Sequence, residues 1–189
     1  VIPSKMFQRE KFSSTGEFEK LKSRLVAGGH MQDRRVYDDV SSPTASVSSI
    51  MMVLVIAAVQ RRAVATADVP GAYLEVPIVE EVLVRLGTHV SELLVAMMPE
   101  KYKPAERPDG TIVVRLLKAL YGCVEAARLW YEHLRKILEG MGFVPNPYDV
   151  CVFNRGAAAE QATVCVYVDD LLITARDDDA VSAILRELG

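Results

Sequence analysis

The residues best suited to chemistry lie in the stretch YVDDLLIT, residues 167–174. Asp169 and Asp170 are adjacent carboxylates inside an apolar run, with Val164, Cys165, Val166, Tyr167 and Val168 before them and Leu171, Leu172 and Ile173 after. Burying an unpartnered charge costs several kcal/mol. Two carboxylates about 4 Å apart repel by roughly 4 kcal/mol at an effective dielectric near 20. An Asp-Asp pair is also ordinary turn chemistry, because Asp tolerates the backbone conformations of a two-residue turn. A third carboxylate weighs toward a site: Asp68 ends a second apolar strand, AVATAD. If the two strand units lie side by side, three carboxylates meet at one sheet edge and call for cations. Mg²⁺ suits them, as a hard ion bound through one or two carboxylates, waters and substrate phosphates. Two such ions about 4 Å apart would activate an attacking hydroxyl and stabilise a leaving pyrophosphate.

The surrounding pattern supplies elements to hold these groups. Residues 162–168 and 171–175 read as the arms of a hairpin with Asp169-Asp170 at its turn, and residues 63–68 as a strand broken by Pro70 and Gly71. Residues 80–86 and 111–117 read as further strands, with a short helix within 90–98. Residues 124–142 read as an amphipathic helix, with Ala127, Trp130, Leu134, Ile137, Leu138 and Met141 at three- and four-residue spacings and glycines closing it. Trp130 is expected in the core. Residues 41–62 carry a Ser/Thr-rich start, an apolar body and terminal arginines, which predicts a buried helix. The first 30 residues suggest short strands and turns, 150–154 a short strand and 178–188 a last helix. The order predicts an α+β fold, with a mainly antiparallel sheet packed on helices.

Bulk properties narrow the class. With half of its 189 residues hydrophobic the chain can bury a sizeable core. Cys123, Cys151 and Cys165 lack C-x-x-C spacing, which argues against a zinc site or disulfide framework and for a reducing compartment. The N-terminal residues VIPSKMFQREKF are charged and mixed, unlike a secretory leader. The longest apolar run, IMMVLVIAAV, is about half a membrane span, so no membrane partner is expected. Residues 1–62 hold ten Lys/Arg against six Asp/Glu, and residues 63–189 hold 12 against 19. A basic segment beside an acidic one fits a protein that grips phosphates with one part and cations with the other; surface variation gives the same imbalance.

Five blocks, in order, carry a family resemblance. YVDDLLIT resembles the Y-x-D-D box of reverse transcriptases. ADVPGAYLEVPIVEEVLVRL (67–86) resembles the D-V-x-x-A-F-L stretch of the polymerases of copia-type LTR retrotransposons, and LLKALYGCVEAARLWYEHL (116–134) their L-K-K-A-L-Y-G-L-K-Q-A-P-R-x-W-Y segment. EKLKSRLVAGGHMQ (19–32) is similar to Y-K-A-R-L-V-A-K-G-x-x-Q, and YDDVSSPTASVSSIMMVLVIAA (37–58) to Y-x-x-T-F-S-P-V-x-x-x-x-S-I-R.

The resemblance implies an RNA-directed DNA polymerase with right-hand fingers and palm. Residues 1–63, with 77–117 returning to them, would form the fingers; 64–76 and 118–189 would form the palm, all in one structural unit. Asp68, Asp169 and Asp170 would be the catalytic carboxylates and, with the Val69 carbonyl, would hold two Mg²⁺ ions, or Mn²⁺. Arg24 and Lys22 would meet the incoming triphosphate; as plain residues they also read as solvated cations. Tyr73, five residues after Asp68, would lie beneath the nucleotide sugar and exclude a 2′-hydroxyl, and Gly122 would allow backbone approach to the templating pair. Tyr121, Arg128 and Tyr167 would face template and primer. Partners would be an RNA template, a DNA primer strand, dNTPs and the rest of a polyprotein: thumb, ribonuclease H and integrase. The thumb is expected to be absent from these residues, since the chain runs only 19 residues beyond Asp170. The location would be intracellular, in a cytoplasmic virus-like particle or the nucleus. Departures include Gly28 for the family's lysine, Val124-Glu125-Ala126-Ala127-Arg128 for K-Q-A-P-R, and Tyr73-Leu74-Glu75-Val76 for F-L-N-G. None removes a metal ligand. A catalytically silent relic and another Mg²⁺-dependent phosphotransferase are the competing readings.

Overall fold

The structure is a computed structural model that describes residues 1–37 and 40–189. Asp38 and Asp39, within the block that resembles Y-x-x-T-F-S-P, lie outside the described residues. The fold is α+β, as expected, with two sheets and five α-helices among the described residues. The chain divides into two compact units, Val1–Val40 with Tyr73–Ala126, and Ser41–Ala72 with Ala127–Gly189. These units run differently from the expected fingers and palm segments. Residues 41–63 group with the carboxylate-bearing strands, and 118–126 group with the N-terminal hairpin.

In the first unit, β1 (Ile2–Phe12) and β2 (Phe18–Ala27) form one long antiparallel hairpin in place of the short strands expected. Here β-formers recur through the charged stretch, and Gly16, at φ 83°, supplies the turn. After Arg34–Val36, a single 3₁₀ turn, the chain leaves this unit and returns at Tyr73.

In the second unit, α1 (Val47–Gln60) starts at Ser46, whose hydroxyl accepts from the Ser49 N–H, and ends at Arg61 in the left-handed region. β3 (Ala63–Asp68) follows directly. The first unit then supplies β4 (Leu83–Leu86), α2 (Thr88–Met97), the single turn α3 (Pro99–Tyr102) and β5 (Ile112–Arg115). Its sheet has the order β2-β1-β4-β5, with β1 and β4 parallel through Ile2 and Pro3. Ile2, Ala27, Val82, Val84, Leu86, Ala119, Cys123 and Ala126 form its core.

The remaining elements are α4 (Ala126–Gly140), β6 (Val144–Pro145), β7 (Val152–Arg155), β8 (Ala162–Tyr167), β9 (Asp170–Ala175) and α5 (Asp178–Leu188). They complete an antiparallel sheet of order β3-β9-β8-β7-β6. On one face Val164, Val166, Leu171 and Ile173 are buried, and Leu134, Leu138, Phe143, Phe153 and Ile184 fill the same unit. All three cysteines are reduced and buried. Burial pushes the Cys151 thiol up to about 12 and that of Cys165 to about 11, so both behave as small apolar groups.

The α1 helix departs from expectation. Its apolar body is not buried: of its residues only Ala57 is, whereas Val47, Met51, Met52, Val55, Ile56 and Val59 are exposed. It meets β9 along one narrow side, and an apolar run by itself does not say which side has a neighbour. No helix among the described residues is long and apolar enough to cross a membrane.

One carboxylate anchors this helix. Asp149 accepts from the Ser46 N–H at 2.9 Å and from the Cys151 N–H at 3.0 Å, tying the helix start to the loop before β7. Burial raises its pKa, but the hydrogen bonds from Ser49, Ser46 and Cys151 outweigh that and hold it below the usual carboxylate range. A lowered folded-state pKa contributes stability above the unfolded value near 3.9, and that contribution is lost as pH falls through the folded value. Asp149→Ala is therefore expected to destabilise the chain by about 2 kcal/mol at neutral pH. Thermal melts at pH 7 and pH 3 check this, with the gap from the parent shrinking at the lower pH.

Candidate active site

Register, more than sequence proximity, assembles the acidic group. In the β3–β9 ladder Asp68 lies directly opposite Asp170, and in the β8–β9 ladder Asp170 lies opposite Tyr167. Directly opposed residues share a face, so Tyr167, Asp170 and Asp68 form one row across three strands. All three are exposed. Opposed like charges destabilise a sheet, by about 1 kcal/mol at 5 Å in water-like surroundings. A hard cation taking oxygen from both carboxylates would offset that repulsion.

The turn differs from the expected one. Tyr167 pairs with Asp170, so the two turn residues are Val168 and Asp169, and Asp170 already belongs to β9. Val168 has φ 59°, and Asp169 is not in the positive-φ region. A left-handed first residue alone marks the type II′ pattern, which normally takes glycine. A β-branched residue there costs of order 1–3 kcal/mol, strain that persists only where neighbours over-determine it.

Two hydrogen bonds hold the turn. The Trp130 indole Nε1–H donates to the Val168 carbonyl at 2.7 Å, and the Val69 N–H donates to the Asp169 carbonyl at 3.0 Å. The second bond extends the link between β3 and the turn past Asp68. Trp130 is buried as expected, but its use as a positioning residue was missed. The available signal was general: a buried indole N–H needs a partner. His133 lies beside the Trp130 ring, centroids 6.0 Å apart.

The other expected site residues divide between the units. Tyr167 and Arg128 join the carboxylates in the second unit. Arg128 is engaged within α4, its Nη1 2.7 Å from Glu132 Oε1. Lys22, Arg24, Tyr73, Tyr121 and Gly122 belong to the first unit. The Tyr73 and Tyr121 rings pack with centroids 4.5 Å apart. Gly122 has φ 89°, and a Cβ there would run into the Ala27 carbonyl. Its glycine thus has a structural reason besides the expected one. The Ala27 N–H donates to the Tyr121 carbonyl at 2.7 Å, and the Val124 N–H to Gln32 Oε1 at 2.9 Å. Glu125, one of the departures from the K-Q-A-P-R run, is buried. Among the described residues no three His, Cys, Asp or Glu side chains are grouped closely enough to hold a metal ion. The register therefore brings two carboxylates face to face, with Asp169 in the adjoining turn.

Replacing Trp130 with Phe keeps most of the packing and deletes the donor. Thermal unfolding is expected to show a loss of about 1–3 kcal/mol, whereas Val168→Gly, which relieves the turn, should hold or raise stability by up to about 1 kcal/mol.

Known proteins match the chain along nearly all of its length. The family model described as reverse transcriptase (RNA-dependent DNA polymerase) matches residues 1–189. The retrovirus-related Pol polyprotein from transposon RE2 of Arabidopsis thaliana is 34% identical over 178 residues, covering 94% of this chain and 11% of the relative. Its RE1 counterpart is 32% identical over 178 residues, with the same coverage. The Pol polyprotein from transposon TNT 1-94 of Nicotiana tabacum is 28% identical over 171 residues, 89% of this chain and 12% of the relative. The chain thus spans about a tenth of the length of these relatives. With the whole of its length matched, and with copia-like Pol polyproteins as relatives, this chain belongs to the reverse transcriptase (RNA-dependent DNA polymerase) family.

Proposed function

We propose that this chain is the RNA-directed DNA polymerase segment of a retrotransposon Pol polyprotein, with the second unit as palm and the long hairpin of the first as fingers. One observation carries the reading: the Asp68–Asp170 row with Asp169 in the adjoining turn, in a chain matched throughout by the family model. The reaction joins a primer 3′-hydroxyl oxygen to the α-phosphorus of a dNTP, breaks the bond to the β-phosphate and releases pyrophosphate. Asp68, Asp169 and Asp170, with the Val69 carbonyl, are the oxygen donors for two Mg²⁺ ions, and Mn²⁺ accepts the same donors. When bound, the ions lower the pKa of the attacking hydroxyl and neutralise charge on the leaving group.

The chain's own residues have separate roles. Trp130 and Val69 hold the turn, so that Asp169 is presented without reorganisation at the moment of reaction. Arg24 and Lys22 offset charge on the triphosphate. Tyr73, backed by Tyr121, excludes a 2′-hydroxyl and so selects dNTPs; Gly122 keeps the backbone near the templating pair free of a side chain. Tyr121, Tyr167 and Arg128 line the path of RNA template and DNA primer, Arg128 after exchanging Glu132 for phosphate. Thumb, ribonuclease H and integrase are the partner regions, and the setting is a virus-like particle or the nucleus.

A second reading is a nucleic-acid-binding domain without catalysis, favoured by the lack of a three-ligand group among the described residues. Primer extension on an RNA template with Mg²⁺ separates the two. Asp169→Asn is expected to reduce extension more than a hundredfold, the worth of several kcal/mol of charge stabilisation; equal rates would remove the catalytic assignment. For sugar choice, Tyr73→Ala is expected to raise ribonucleotide use relative to deoxynucleotide use at least about tenfold. Competing rNTP and dNTP incorporation checks this, and an unchanged ratio would remove the gate role.

A further inference from the structure

The sheet face that bears the carboxylate row continues away from the turn. Four residues along each strand, about 13 Å from Asp68 and Asp170, the register makes a second row of Asn154, Thr163, Thr174 and Val64. Thr163 and Thr174 in it are buried. Helix α1 passes over this row but stands off it. Ser48, Met52 and Ile56, four residues apart on one side of the helix, line a cavity of about 440 Å³ with Asn154, Thr163 and Thr174. Arg62 lines the same cavity. Its Nη2 is buried without an acceptor among the described residues, and no carboxylate pairs with its guanidinium there. Arg62 also lines an adjoining cavity of about 770 Å³, with Ile56, Gln161 and Arg176. Arg176 is already matched, 2.6 Å from both Glu160 and Asp177. Asn154 Oδ1 accepts from Thr163 Oγ1 and from Gln161 Nε2, each at 2.9 Å. Its carbonyl is thus spent, while no bond among the described residues takes up its Nδ2 donors. A buried cationic donor beside an amide donor calls for an anionic acceptor.

We infer that the cavity between α1 and this row binds an organic monocarboxylate, its carboxylate on Arg62 and its apolar body along Met52, Val53 and Ile56. The charge count selects one anionic group. Arg62 is the single unmatched cation lining either cavity. Asp149 also lines the first cavity, spent on the Ser46 and Cys151 N–H groups, and its charge repels a second anionic group. A planar guanidinium takes a carboxylate through two parallel hydrogen bonds. A phosphate monoester, which carries close to two charges, is the poorer match. The volume lies within the range of about 300–1,000 Å³ usual for small-molecule sites, and an apolar wall facing a few convergent polar groups is their usual lining. The site shares a sheet face with the acidic row but none of its residues, and it does not rest on the polymerase reading.

Isothermal titration calorimetry of the 189-residue chain with 2-naphthoate, its neutral analogue 2-naphthamide, and acetate tests both halves of the site. 2-Naphthoate is expected to bind at least about tenfold more tightly than either, since the amide lacks the charge and acetate lacks the body. Arg62→Gln should weaken 2-naphthoate about 10- to 100-fold, the worth of a charge-assisted hydrogen bond, and leave 2-naphthamide within about twofold. Arg62→Lys should recover part of the loss, because the charge returns without the fork. Ile56→Trp, which fills the cavity from an exposed position, should weaken both naphthyl probes. In thermal melts 2-naphthoate should raise the Tm of the parent and not that of Arg62→Gln. No binding of 2-naphthoate would leave the guanidinium to water and overturn the site. Equal affinity for 2-naphthoate and 2-naphthamide would overturn it, as would an unchanged 2-naphthoate affinity in Arg62→Gln. Acetate or inorganic phosphate binding as tightly as 2-naphthoate would reduce it to a simple anion contact and overturn it too. If Arg62→Gln melts early, Arg62→Lys and Ile56→Trp are read instead: weaker 2-naphthoate binding in both supports the site, and unchanged binding in both overturns it.

Discussion

The register between β3 and β9 is the constraint on which the acidic site depends. A side chain changes face with every residue along a strand, so Asp68 reaches the face of Asp170 only because Ala63 pairs with Ala175 and each later residue follows in step. A slip of one residue would turn Asp68 toward the side where Val164 and Ile173 are buried. The sequence guards against this with an asymmetry: Ala63, Ala65 and Ala67 are small, while Leu171 and Ile173 opposite Ala67 and Ala65 are large. Flanking bonds reinforce it, the Thr174 hydroxyl donating to the Ala63 carbonyl at 2.9 Å and the Val69 N–H to the Asp169 carbonyl.

A strained turn and a repelling carboxylate row are costly locally, and both are kept by ordinary packing elsewhere. Trp130 is anchored by the apolar face of α4, and its indole reaches the Val168 carbonyl. Tyr131, the next residue, donates its hydroxyl to the Val150 carbonyl at 3.0 Å, beside the Asp149 loop that starts α1. One helix thus holds both the acidic turn and the loop anchoring the neighbouring helix. A rigid scaffold of this kind keeps a functional group in a conformation it would not adopt alone.

Much of this was legible in the residues. Strand β3, the hairpin arms and the helices near 88–97, 126–140 and 178–188 follow from alternation, spacing and breakers, and Asp68, Asp169 and Asp170 stood out as charges beside apolar runs. The position of the turn did not, because Asp-Asp looks like a better turn than Val-Asp on propensity; cross-strand pairing overrides propensity. The exposure of α1 was equally hidden. Periodicity reveals a helix with one polar side, but α1 is apolar nearly all round, and such a pattern reads as buried.

The contact between Gly122 and the Ala27 carbonyl, matched by Gly29 against the Gly122 carbonyl, has an evolutionary consequence. Two segments nearly a hundred positions apart interlock backbone to backbone, so neither can gain even a methyl group unless the other retreats. Drift at these sites is blocked singly and open only to paired change. At the hairpin tip an added Cβ on Gly16 meets nothing within 4 Å, so only its left-handed φ of 83° holds that one position to glycine, and its neighbours are free to vary. Diverging copies of such a chain should therefore accumulate substitutions at the tip long before the interlock, and a copy that has lost the interlock marks the point where folding itself is no longer under selection.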